Sequence, residues 1–246
     1  MDLDDLPIGR VLTRREALAL LGSTGTVLLL GCSASNASRS RAGKPGHPCV
    51  VRPAMTEGPY YVDEKLERSD IRSDPTDGTV KEGALLILTF NVSSIARDAC
   101  APLAGAIVDV WHCDANGVYS DAVDPSFNTT GRKFLRGHQV TDARGVAKFT
   151  TIYPGWYPGR AVHIHFKIRS PVSAQSASEF TSQLFFEEGL SDRVYAKPPY
   201  IAKGKRTVSN VTDRIYQRGS GSQLMLNVTN TKDGYATAFD IALNQD

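Results

Sequence analysis

Tyr153-Pro154-Gly155-Trp156-Tyr157-Pro158-Gly159-Arg160-Ala161-Val162-His163-Ile164-His165-Phe166-Lys167-Ile168 is the stretch that decides the fold, and it holds the only His-x-His of the chain. From Ala161 onward it reads as an apolar strand. Successive side chains of a strand point to opposite faces, so His163 and His165 project together while Ile164 points away. Two imidazoles on one side of a strand make half a metal site. Tyr157 and Arg160 lie just upstream in a Pro/Gly-punctuated turn that can fold a phenol and a guanidinium back over the same face. A sheet can also carry two such histidines exposed or satisfied by backbone carbonyls, so the rest of the chain has to decide between the two readings.

Working outward, the text from Cys49 onward is short apolar or alternating runs separated by Gly, Pro, Asn and Asp, with no long segment of helical period. The runs predict strands at Ala84 to Val92, Ala104 to His112, Phe134 to Thr141, Val146 to Ile152, Val162 to Arg169, Gln183 to Phe186, Gln223 to Thr229 and Tyr235 to Ala242. About eight strands with turns between them predict an all-β, two-layer β-sandwich with long functional loops. Short helices are expected only at Ser191 to Tyr195 and Val211 to Tyr216. Asp142-Ala143-Arg144-Gly145 reads as a hairpin turn with Gly at the position needing positive φ. Three loops carry chemistry unusual in connectors: Thr56 to Tyr61, Trp111 to Ser120, and the opening stretch itself.

The chain has 246 residues, 41% of them hydrophobic, enough for one large β domain with a sizeable core. Lys and Arg number 28 against 26 Asp and Glu, and no basic run occurs outside the N-terminus. Nothing asks for nucleic acid, which leaves a small molecule or a protein as partner. Thr13-Arg14-Arg15-Glu16-Ala17-Leu18 is a twin-arginine pattern ahead of an apolar stretch from Ala17 to Leu30 that is short for a bilayer span. Leu29-Leu30-Gly31-Cys32 follows, like a bacterial lipobox in which Cys32 becomes the lipidated first residue. The expectation is an export signal over residues 1–32, a flexible tether over 33–47 and a catalytic domain over 48–246, in a bacterial protein that is secreted, periplasmic or anchored at the cell surface. Three cysteines then remain for an oxidising compartment. Cys49 and Cys100 sit at the edges of predicted elements while Cys113 closes an apolar strand, which favours Cys49 with Cys100 among three possible pairings. Asn91, Asn128, Asn210 and Asn227 begin Asn-x-Ser/Thr triplets, which carry little weight in a bacterial chain.

Tyr119 in Asn-Gly-Val-Tyr-Ser, Tyr157 in Pro-Gly-Trp-Tyr-Pro and His163 with His165 in Arg-Ala-Val-His-Ile-His-Phe stand in the order and spacing of one family motif. Thr-Glu-Gly-Pro-Tyr-Tyr at 56–61, the strand Pro102 to His112 and Thr-Asp-Ala-Arg-Gly at 141–145 match as well. From about Thr56 to the C-terminus the chain resembles the intradiol ring-cleavage dioxygenases, which include protocatechuate 3,4-dioxygenase. The resemblance implies a mononuclear non-haem Fe(III) held by Tyr119, Tyr157, His163 and His165. The donor chemistry agrees with it: phenolates are hard anionic donors that favour the ferric state, imidazoles suit iron in general, and zinc sites rarely use tyrosine. It further implies a catecholic substrate chelated as its dianion, with Tyr157 displaced to accept a proton, and O2 cleaving the ring between the two hydroxylated carbons to a cis,cis-muconate-type diacid. Arg160 matches the family arginine that stabilises the carbanion-like substrate. Gln183 matches a glutamine near the same pocket, and His112 and His138 are left as structural residues.

The family's intracellular catechol 1,2-dioxygenases carry a helical N-terminal region, in place of which this chain has only a signal and a tether. It looks instead like the secreted or surface-anchored branch, for which small aromatic diols outside the cell are the expected substrates. An alternative is a metal-free binding module, because Ala104 to Pro158 also resembles the small transthyretin-like β-sandwiches. A zinc or copper enzyme would want a third histidine or a carboxylate at ligand spacing, which the stretch lacks. Neither the substituents of the diol nor the oligomeric state is written in the sequence.

Overall fold

A computed structural model describes residues 48–96, 99–171 and 178–244, so the expected export signal and tether lie outside the described residues. Two sheets carry the structure. In the first, β10 (Thr229–Asn230), β11 (Gly234–Asn244), β1 (Leu85–Ala96) and β2 (Ala99–Pro102) follow one another, and β7 (Val146–Ile152) pairs with the earlier part of β1. In the second the order is β6 (Arg136–Val140), β3 (Ile107–Trp111), β8 (His163–Arg169) and β9 (Glu179–Phe185). A small hairpin, β4 (Val123–Asp124) with β5 (Phe127–Asn128), stands apart. β1 and β11 run parallel from Leu85 opposite Gly234 to Ile95 opposite Asn244. The remaining ladders between named strands are antiparallel.

The sandwich follows from period-two burial. On β1, Leu86, Leu88, Phe90 and Val92 are fully buried. They face Val108 and Val110 of β3 and Ile164, Phe166 and Ile168 of β8 in one apolar core. Phe90 is the centre of contact, with ring centroids 5.2 Å from Phe166 across the layers and 6.2 and 6.1 Å from Phe149 and Phe239 of its own sheet. Burying such a ring stabilises the fold by about 2–3 kcal/mol. Since the even-numbered residues of β8 fill this core, its odd-numbered residues must face outward.

That outward face is covered by the N-terminal segment 56–66, which the preceding residues lead in along the edge strand β9. Met55 N donates to Thr181 O at 3.0 Å and Ser182 Oγ to Pro53 O at 2.8 Å. Lys167 pairs with Glu57 and lies 4.0 Å over the Tyr61 ring, and Arg169 pairs with Asp63 at 3.2 Å. The covered layer between sheet and strap is where functional side chains gather. A disulfide joins Cys49 to Cys100, as the positions of the cysteines favoured, and Cys113 is free and buried.

Several expectations shift. The structure has eleven β segments among the described residues, three of them only two residues long, against about eight expected. Gln223 to Thr229 is mostly not a strand: Gly221–Leu224 is a 3-10 turn, Met225 makes a single bridge to Phe185, and pairing resumes at Thr229. Leu224 and Leu226 are buried on either side of Met225, so side chains packing under β9 mimic strand alternation without a ladder. The turn at Asp142 to Gly145 forms, with Gly145 at φ +76°. It is no hairpin, because β6 and β7 lie in different sheets. Helix α1 (Glu188–Tyr195) starts before the expected Ser191, capped by Glu187, whose carboxylate accepts from Gly189 N and Leu190 N. Helix α2 (Arg214–Arg218) starts after the expected Val211, because Asp213 caps it.

Candidate active site

Strand register assembles the first half of the site. On β8, His165 lies opposite Trp111 of β3 on one side and Gln183 of β9 on the other, and directly opposed residues share a face. The Trp111 ring stacks on His165 with centroids 5.1 Å apart and an interplanar angle of 8°. His163 Nδ1 lies 2.7 Å from Ala161 O, to which it donates, so its Nε2 keeps a lone pair. The two Nε2 atoms meet at 2.9 Å, and the Tyr157 hydroxyl lies 3.2 Å from His163 Nε2.

Tyr119 arrives from the loop after β3. Close backbone approach makes this possible: Gly155 N donates to Asp114 O at 3.1 Å, and a Cβ on Gly155 would collide with the carbonyls of Asp114 and Ala115. The segment carrying Tyr157 is thereby pressed against the loop carrying Tyr119, and the two rings stand 5.7 Å apart, edge to face. Tyr119 is 1% exposed, and its ring centroid is 6.2 Å from that of His165. Thr129 Oγ1 holds the Tyr119 carbonyl at 2.6 Å. Tyr60 of the strap stacks on the Tyr119 ring at 4.4 Å and donates its hydroxyl to Asp124 at 2.8 Å, so Tyr60 is a wall whose oxygen is engaged elsewhere.

The structure thus brings Tyr119, Tyr157, His163 and His165 together. Tyr119 Oη has no hydrogen-bond partner of good geometry among the described residues, although the Tyr157 hydroxyl lies close enough to act on it. Burial raises the Tyr119 phenol well above its ordinary range, Tyr157 and Cys113 push the same way, and Arg160 opposes them. Burial also pushes both imidazoles well below their ordinary range, aided at His163 by Arg160 and at His165 by His163. An ionised phenol here therefore needs a strong positive charge beside it, and two inward-facing imidazole nitrogens need an acceptor of lone pairs. A multivalent cation meets both requirements. The donor set, two oxygens and two nitrogens, fits a hard metal ion.

Arg160 and Gln183 border this cluster. Arg160 is 5% exposed, and its Nη2 donates to Gln183 Oε1 at 2.6 Å while its Nε donates to Asp213 Oδ2 at 3.0 Å. Gln183 Nε2 donates to Thr56 O at 2.9 Å, which fixes the amide with its oxygen toward Arg160. Asp213 and Trp111 are contacts that the sequence reading did not assign, since both depend on tertiary neighbours. His112 and His138 stay outside the cluster: His112 sits between Cys113 O at 2.8 Å and Thr151 Oγ1 at 2.7 Å, and His138 bridges Glu67.

The covered face of the sandwich gathers two tyrosines and two histidines at one point, a convergence that a plain binding module does not require. A family model described as Dioxygenase matches residues 56–245, and the chain belongs to that family, the intradiol ring-cleavage dioxygenases. The match extends far beyond the Ala104 to Pro158 segment that a transthyretin-like module would cover. The protocatechuate 3,4-dioxygenase beta chain of Burkholderia cepacia is 31% identical over 211 residues, 81% of this chain and 82% of that one. Chlorocatechol 1,2-dioxygenase of Pseudomonas putida is 29% identical over 195 residues, and the match spans 72% of this chain but only 65% of the relative. Among solved structures, an intradiol ring-cleavage dioxygenase from Tetranychus urticae superposes with a TM-score of 0.68 at 30% identity, covering 80% of this chain and 95% of that one.

Proposed function

We propose that the protein is an Fe(III)-dependent intradiol dioxygenase that opens a catecholic ring between its two hydroxylated carbons with O2, giving a cis,cis-muconate-type diacid. The observation that carries this reading is that His163 Nε2 lies 2.9 Å from His165 Nε2 and 3.2 Å from the Tyr157 hydroxyl, beside the buried Tyr119 hydroxyl. Tyr119, Tyr157, His163 and His165 would hold the iron. The chemistry that ferric iron would supply when bound is the withdrawal of charge that makes a catecholic ring reactive toward O2.

The remaining work belongs to the chain's own residues. Tyr119 is sealed by Tyr60 and Trp111 neighbours, whereas Tyr157 is only half-buried in a Pro/Gly turn, so Tyr157 is the phenolate that an incoming substrate would displace. Its Oη, ionised while it would hold the iron, then takes a proton from an incoming catechol hydroxyl and leaves as the neutral phenol. Arg160, held by Gln183 and Asp213, places a fixed positive charge beside the ring as negative charge develops there. The strap through Tyr60 excludes water over the cluster. The substrate class is a small aromatic diol with O2 as second substrate.

The domain boundaries and location follow the same reading. Residues 1–32 direct export, 33–47 tether, and Cys32 carries a lipid anchor in a bacterial envelope; the Cys49–Cys100 disulfide supports an oxidising compartment. Mass spectrometry of the N-terminal peptide from membranes tests the anchor, an unmodified Cys32 in an uncleaved chain counting against it.

The decisive experiment is the visible spectrum of the purified iron-loaded protein, taken anaerobically before and after catechol. A broad phenolate-to-iron band that moves to longer wavelength with catechol is expected. A protein that stays colourless after ferric reconstitution rejects the reading and restores the metal-free binding module.

A further inference from the structure

We propose that Asp213 is a positioning residue for Arg160, setting the orientation of the guanidinium toward the substrate ring; this rests on the dioxygenase reading above. Arg160 stands on no regular element. It follows Gly159, at φ +89°, in the turn before β8, and a turn by itself leaves a long side chain many rotamers. A charge that must meet a developing negative charge has to be fixed in advance.

Asp213 fixes it twice. Its Oδ2 accepts from Arg160 Nε at 3.0 Å and from the backbone N of Ala161 at 2.8 Å, gripping side chain and main chain of the same turn. Its Oδ1 accepts from Ile215 N at 2.7 Å and Tyr216 N at 3.2 Å, so the cap of α2 locates the carboxylate itself. The side chains of Arg160 and Asp213 are 6% and 1% exposed, which shields the pair from solvent competition. Gripping the guanidinium at Nε leaves the terminal nitrogens to other partners, and Nη2 meets Gln183 Oε1 from the opposite side at 2.6 Å. Gln183 is in turn fixed by Thr56 O of the strap. The guanidinium is therefore held between Gln183 on β9 and Asp213 at the cap of α2, two supports that are distant in sequence and rigid by different means. Buried ion pairs are a poor source of stability compared with apolar packing, which favours a positional role for this one.

The test compares wild type, Asp213→Asn, Asp213→Ser, Arg160→Ala and the Arg160→Ala/Asp213→Asn double variant, all iron-loaded, on whichever of catechol, a chlorocatechol and protocatechuate the wild type turns over fastest. Asp213→Ser retains a helix-capping oxygen but withdraws the one that reaches Arg160, so it separates the grip on Arg160 from the cap on α2. Both single Asp213 variants are expected to lose at least about tenfold in kcat with KM changed less than about threefold, iron content unchanged and the phenolate band intact. The double variant is expected to be no slower than Arg160→Ala, because a residue acting only through Arg160 has nothing left to position. A kcat within twofold of wild type in Asp213→Ser, or losses that multiply in the double variant, overturns the proposal. Loss of iron or of folding in both Asp213 variants also overturns it, assigning Asp213 to structure. A wild type that is colourless and inactive on all three diols rejects the dioxygenase reading instead, and is recognised before any variant is compared.

Discussion

The Nε2 atoms of His163 and His165 lie 2.9 Å apart, two residues apart on one strand. Each ring is aimed from behind by a different device: the Ala161 carbonyl accepts a hydrogen bond from His163 Nδ1, and the indole of Trp111 lies flat on His165. The strand supplies the common face, and these two supports supply the common point. His165 Nδ1 has no hydrogen-bond partner among the described residues, so the stacking carries the orientation of that ring.

Replacing Trp111 with Leu should therefore loosen His165 without removing any ligand. Supports of metal ligands typically matter by about 10–100-fold in affinity. We expect iron affinity to fall by about tenfold, measured by competition with a chelator, while the visible band at saturating iron keeps its position. An unchanged affinity would mean that β8 alone fixes the ring.

Tyr157→Phe removes the half-buried phenol and leaves Tyr119, His163 and His165 in place. The variant should keep most of its iron but lose turnover by about 100-fold, the usual scale of a lost proton acceptor. Iron analysis beside steady-state kinetics checks it. Full activity would show that some other group takes the proton.

Gly155→Ala probes how the two tyrosine-bearing segments meet. The added Cβ has backbone carbonyls of Asp114 and Ala115 as its neighbours, and backbone cannot swing away as a side-chain end would. Overpacking of this kind costs about 1–3 kcal/mol. The variant should lose that much in urea unfolding and should bind iron more weakly, because Tyr119 and Tyr157 part. A loss of stability with normal iron binding would show that the loops can separate without moving the phenols.

These sites differ in how far the sequence reveals them. His163 and His165 are legible because strand periodicity is two, so an i, i+2 pair needs no tertiary information to share a face. Tyr119 and Tyr157 are legible only through their motifs, since the close approach at Gly155 that joins them is a contact between loops. Asp213 is 53 residues from Arg160 and reads locally as nothing more than a helix cap. Trp111 reads as the end of an apolar strand until β3 is paired with β8. The same dependence explains Gln223 to Thr229, where buried leucines at alternate positions copy a strand but the neighbouring ladder is missing.

The Cys49–Cys100 disulfide closes a loop with a sequence separation of 51 and secures the start of the strap to β2. Chain-entropy arguments assign such a closure about 4 kcal/mol. A Cys49→Ser/Cys100→Ser variant should unfold at correspondingly lower urea, with kcat at low denaturant near wild type, since Arg52, Met55 and Ser182 still tie the strap down. A fall in kcat without a fall in stability would reverse that assignment and make the bridge part of the active site.

His112 gives the fold a calculable response to pH. It is buried between Cys113 O and Thr151 Oγ1, and burial above all depresses its pKa to about 4. In the unfolded chain the imidazole titrates near about 6.5. Above that value His112 is neutral in both states and contributes no pH dependence. As pH falls from about 6.5 toward 4, the unfolded chain binds a proton that the folded one refuses, so stability drops through this window and levels off below it. The full drop is on the order of 3 kcal/mol. His112→Asn removes the titrating group, so its stability deficit relative to wild type should be largest near pH 7.5 and shrink toward pH 4. Urea unfolding at half-unit pH intervals measures that difference. A deficit constant across the range would show that His112 is not the group through which acid weakens the fold.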